Sequence, residues 1–122
     1  MVTLTIGQTL KVTATFQYSG PGFSGYVVRA AICHKTATWD EILYRQTSPL
    51  SVPSTPTLLL YTVPVGLLDI VITSAISPGL YELYAKMLSL PGTDLFWYGP
   101  LDDIQIVGVQ VFQSLAVTYV KL

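Results

Sequence analysis

The chain has 122 residues, of which 51% are hydrophobic and only 11% charged, with a formal net charge of −1. That length is one domain with a core of its own, and the charge balance supplies no basic field to hold nucleic acid. An average globular domain is roughly 25% charged, so a chain this poor in ionic groups leaves apolar surface that a partner is expected to cover.

Val2, Leu4 and Ile6 alternate with Thr3 and Thr5, the pattern of a short first strand ended by Gly7. Met1 leads straight into this strand pattern, without a basic stretch and apolar core, so no uncleaved signal peptide is expected. The second strand is the clearest: Leu10, Val12, Ala14, Phe16 and Tyr18 point inward while Lys11, Thr13, Thr15 and Gln17 point out. Residues 19–22 break it. Gly20-Pro21-Gly22-Phe23-Ser24-Gly25 matches G-x-G-x-x-G, but a strand follows where a dinucleotide site needs a helix, so it reads as a hairpin loop.

Tyr26 to His34 is the third strand, with Val28, Ala30 and Ile32 toward the core and Arg29 outward. Thr36 to Glu41 reads as a polar turn and Ile42 to Thr47 as a fourth strand. Ser48 to Thr57 carries three prolines and reads as a loop or edge segment. Leu58–Val63 and Leu67–Thr73 are the next two strands, parted at Pro64–Gly66. Pro64, Gly66 and Asp69 also prevent any clean apolar run of about 20 residues, so no membrane span is expected.

Between the Pro-Gly turns at 78–79 and 91–92 runs the strand expected to be central and half-buried. Tyr81, Leu83, Ala85 and Met87 occupy one face, and Glu82, Tyr84 and Lys86 the other. Leu95–Tyr98 and Asp102–Val107 follow, interrupted at Gly99-Pro100. No window shows helical spacing over three turns, so the fold class is all-β. Short strands spaced by Gly and Pro turns predict a single antiparallel β-sandwich.

Two segments carry a family resemblance: Gly7-Gln8-Thr9-Leu10 leading into Val12-Ala14-Phe16, and Ser77-Pro78-Gly79-Leu80-Tyr81. On these, residues 1–107 resemble the immunoglobulin-like β-sandwich modules of phage virion proteins and prokaryotic cell-surface proteins. The resemblance implies that Tyr81 is a tyrosine corner, its hydroxyl tying the chain to nearby backbone. Leu83 stands where antibody domains place their second cysteine. No first cysteine faces it and the third strand lacks a tryptophan, so the chain departs from the antibody type.

Residues 108–122 form an extension beyond that module, an extra C-terminal strand. Val109, Val111, Leu115, Val117 and Tyr119 share one parity and Phe112 lies on the other. This strand pairs either within its own sheet or with the sheet edge of a neighbouring subunit.

Candidate chemistry is sparse. Cys33 and His34 are adjacent, so on a strand they face opposite ways and form neither a metal site nor a nucleophile–base pair. Asp94, Asp102 and Asp103 lack the spacing of a calcium loop and read as a solvated turn. No cofactor, metal or catalytic residue is expected. Trp39, Phe96, Trp97 and Tyr98 are candidate interface aromatics, or, less in keeping with the rest, a sugar-stacking platform. The expectation is a non-enzymatic structural subunit that assembles with identical copies and a larger body through sheet faces and edges. Its place is a virion, as a capsid-decorating or tail-associated protein assembled in the host cytoplasm. The alternatives are an extracellular filament subunit joined by donated strands and a carbohydrate-binding module.

Overall fold

A computed structural model of the chain describes residues 1–36, 39–89, 92–108 and 114–122, with only the backbone of Phe96. Among the described residues there is no helix, and the fold is all-β. The strands in order are β1 (Val2–Thr5), β2 (Thr9–Leu10), β3 (Thr15–Gly20), β4 (Phe23–His34) and β5 (Glu41–Gln46). They are followed by β6 (Leu50–Val52), β7 (Thr55–Thr62), β8 (Ile70–Val71), β9 (Gly79–Ser89) and β10 (Thr93–Val107). A six-stranded sheet runs β1-β10-β9-β4-β5, with β6 also on β4, and β2–β8 and β3–β7 form two ribbons.

The alternation read from the sequence places the core. Val28, Ala30 and Ile32 of β4, Tyr81 and Met87 of β9, and Ile104 and Ile106 of β10 are buried on one face of the large sheet. Val12, Ala14 and Phe16 pack against that cluster from the facing side, and Lys11, Thr13, Thr15 and Gln17 are exposed. Val63, Ile70 and Ile72 complete the layer.

The strand pairing departs from an all-antiparallel arrangement. β1 runs parallel to β10, with Val2 beside Ile104 and Leu4 beside Ile106. This register sets apolar side chains next to apolar side chains on the core face before the chain crosses, past Gly7 (φ 98°), to the ribbons.

Five further expectations are corrected. The single second strand expected over 10–18 is split: Thr9–Leu10 pairs with β8 and Thr15–Gly20 with β7, and residues 11–14 between them carry no strand. Residues 20–25 close no hairpin: β3 pairs with β7 while β4 pairs with β9, β5 and β6, so the turn carries the chain from one sheet to another. The expected strand at 67–73 shrinks to Ile70–Val71, because the turn after Pro64 continues through Leu67 N–H to Pro64 O and Asp69 N–H to Gly66 O. Asp69 Oδ1 then accepts from Val12 N–H at 3.3 Å, standing in for a ladder carbonyl. The two segments either side of Gly99-Pro100 are one strand. Tyr98 pairs with Ala85 and Asp102 with Leu83, so residues 99–101 bulge opposite Tyr84. Asp94, Asp102 and Asp103 therefore sit in a strand, each held singly: Asp94 by Lys86, Asp102 by the Met1 amine, Asp103 by Lys35.

The expected C-terminal strand is not formed over 114–122, which carry no strand in the single chain. Val109, Val111 and Phe112 lie outside the described residues.

Candidate functional site

β9 was expected to be half-buried, yet its outer face is covered too. Tyr84 is buried together with Ala31 and Cys33 of β4, and Trp39 packs against this cluster. Trp97 joins from β10, with its ring centroid 5.4 Å from that of Tyr84 and 6.4 Å from that of Trp39. The Lys86 ammonium sits 4.3 Å over the Trp39 ring and pairs with Asp94 at 3.2 Å.

Glu41 links this cluster to its neighbour. One oxygen takes the Trp39 indole N–H at 3.0 Å and the other the Arg29 guanidinium at 2.8 Å. Arg29 also donates to Gln46 and stacks 4.4 Å over Tyr44. Two ion pairs, Arg29–Glu41 and Lys86–Asp94, thus lie on one face.

Two groups on this face, Cys33 and Tyr84, are held in their uncharged forms. Burial pushes the Cys33 thiol up to about 11, so it is a packed thiol and not a thiolate. The Tyr84 hydroxyl donates to Glu82 at 2.8 Å, and that bond raises its pKa. Cys33 lies with the outer cluster, whereas the His34 ring is 5.8 Å from Tyr81, on the core side. Among the described residues no group of three or more His, Cys, Asp or Glu is placed to hold a metal ion. No buried side-chain polar atom there lacks a hydrogen-bond partner.

The four candidate aromatics divide. Trp39 and Trp97 meet on the outer face, with planes crossed at 84°. A flat stacking platform needs coplanar, open rings, whereas here Lys86 covers one tryptophan and the rings pack edge to face. Tyr98 pairs with Ala85 on the other side of the sheet and is exposed. The side chain of Phe96 lies outside what is described.

Tyr81 is buried in the core, and its hydroxyl donates to Ser77 O at 2.6 Å, tying β9 to the turn that feeds it.

A second surface was not anticipated. The face of β3 toward the core opens into a cleft of about 210 Å³ lined by Phe16, Tyr18, Phe23, Tyr26, Met87 and Leu95 among others. Two neighbouring hollows continue it along Thr15–Gln17 to Tyr98, Leu58 and Leu60. Leu58, Leu59 and Leu60 are all exposed, at 61, 47 and 63%. Three consecutive leucines break the alternation of a half-buried strand, and that run was the signal available in the sequence.

The tail is the most exposed apolar segment. Leu115 is 95% exposed, Val117 77% and Tyr119 92%. These three expected assembly residues touch no core.

No protein-family model matches the chain, and no curated protein and no solved structure matches it either.

Proposed function

We propose that this chain is a non-enzymatic structural subunit with an immunoglobulin-like sandwich fold, which buries its uncovered apolar surface against identical copies and a larger assembly. Three features support the sandwich reading. Strands β4, β9 and β10 are spatial neighbours, as C, F and G are in such domains; ribbons built from β2, β3, β7 and β8 face them; and Tyr81 bonds to backbone four residues upstream.

The observation that carries the assembly reading is the tail. A segment with Leu115, Val117, Tyr119, Val120 and Leu122 all more than three-quarters exposed, and with Lys121 its sole charged side chain from 114 onward, is left uncovered by the described residues of its own chain. The preferred setting is a virion, as a capsid-decorating or tail-associated protein. The same tail favours a second reading, an extracellular filament whose subunits donate strands to one another.

Electron microscopy of the purified chain tests the proposal. Regular shells, rings or filaments are the expected result, lost on deletion of residues 108–122 while the far-UV circular dichroism of the sandwich is kept. Assemblies that persist without the tail overturn its assigned part.

A further inference from the structure

Resting on the reading of the chain as an assembling subunit, we infer that the groove along β3 is the seat for residues 114–122 of a second copy. The segment adds to β3 as a strand, and subunits join head to tail.

Three observations converge on this. First, β3 is paired on one edge only, by β7, so its other edge is unpaired among the described residues. Main-chain donors and acceptors on such an edge are a template for an added strand. Secondly, the groove beside it is apolar and periodic. Phe16 and Tyr18 stand two residues apart along it, and an extended tail sets Leu115, Val117 and Tyr119 at the same period of two, about 6.6 Å. The cleft of about 210 Å³ is ample for one of these side chains, since an apolar cavity of about 150 Å³ accommodates benzene. The lining of the main cleft carries no charge, Lys86 (paired with Asp94) is the one charged residue lining the two neighbouring hollows, and residues 114–122 carry only Lys121.

Thirdly, the strand that leads to the tail runs away from the groove. Leu95 and Tyr98, which wall the groove, are near the start of β10. That strand then carries the chain away from the groove to Val107, beside Thr5, where the tail departs. The tail and the groove are different surfaces, so each contact is heterologous, which gives a ring if the rotation closes and a filament if it does not.

The test uses two full-length variants. Val117→Asp/Tyr119→Asp spoils the donor at exposed positions, and Leu95→Asp spoils the acceptor at a half-exposed one. In sedimentation velocity each alone is expected to stay monomeric, and an equimolar mixture to give a heterodimer that grows no further. Hydrogen exchange of the unaltered chain guards against a misfolded Leu95 variant: amides of Thr15–Gly20 are expected to slow as the protein passes from dilute to assembled. A mixture without heterodimer, or exchange at β3 unchanged by assembly, overturns the inference and leaves the assembly reading standing. Protection of β3 in the dilute monomer that vanishes in the tail variant means that the tail occupies its own groove, which also overturns it. An unaltered chain that never sediments faster than a monomer removes both.

Discussion

Replacing Gly99 with alanine strikes the contact on which the outer face is built. A Cβ at this position falls 2.0 Å from Cδ1 of Tyr84, 2.4 Å from Cε1 and 2.6 Å from Cγ, where 3.4 Å or more is ordinary contact. The ring must therefore retreat by about 1.4 Å (3.4 minus 2.0), and it has nowhere to go. Tyr84 is 3% exposed, wedged against Trp39 and Trp97, with its hydroxyl held by Glu82. Overpacking of this kind costs about 1–3 kcal/mol, and loss of the Glu82 hydrogen bond adds about 1 kcal/mol. A total near 3 kcal/mol corresponds to a fall in Tm on the order of 10 °C for a domain of this size. Urea and thermal unfolding by circular dichroism measure it. Because the clash is with one ring, Gly99→Ala and Tyr84→Ala are expected to be non-additive, the double variant losing less than the sum of the singles. A Gly99→Ala protein within 0.5 kcal/mol of the parent on the denaturant scale, or strict additivity, would refute the packing described.

Three other outcomes follow from the same geometry. Tyr81→Phe removes the donor to Ser77 O while keeping the buried ring, and is expected to cost about 1 kcal/mol in urea unfolding without altering the far-UV spectrum; no loss removes Tyr81 from its corner role. Cys33 is expected to resist thiol reagents at pH 8 until the protein unfolds. Its folded pKa of about 11 lies above the ordinary 9.0, so between these values the unfolded chain sheds a proton that the folded one keeps. Stability contributed by the neutral thiol is full below pH 9 and is lost as pH rises toward 11, a slope that Cys33→Ala should flatten relative to the parent. Trp39→Ala uncovers Ala31, Cys33 and Tyr84 and is expected to lower stability by about 3 kcal/mol and speed labelling of Cys33; unchanged labelling contradicts the cover assigned to Trp39.

Side-chain alternation was the legible part of this fold. The run from Thr9 to Tyr18 alternates between exposed and partly buried residue by residue, although it spans two strands. In β9 Tyr81 and Met87 do lie in the core, but the burial of Tyr84 and Lys86 on the other face hides the alternation. Partner choice was not legible, because a period of two says which face is buried and nothing about which strand lies alongside. That is why residues 20–25 read as a hairpin and the parallel pairing of β1 with β10 went unseen. Pro100 looked like a break, yet a bulge absorbs it within one strand, where the missing Cβ of Gly99 leaves room for the Tyr84 ring. Tyr81 could be placed from its turn because the bond it makes is local. Trp39, Tyr84 and Trp97 come from three separate segments and have no signature along the chain; the β3 cleft draws on four strands, and the Leu58–Leu60 run signals only its rim.

Sedimentation velocity of the unaltered chain over a hundredfold range of concentration tests the central claim most directly. Self-association through uncovered apolar surface predicts a sedimentation coefficient that climbs with concentration well beyond that of a 13.3 kDa particle. A single 13.3 kDa species throughout the range contradicts it.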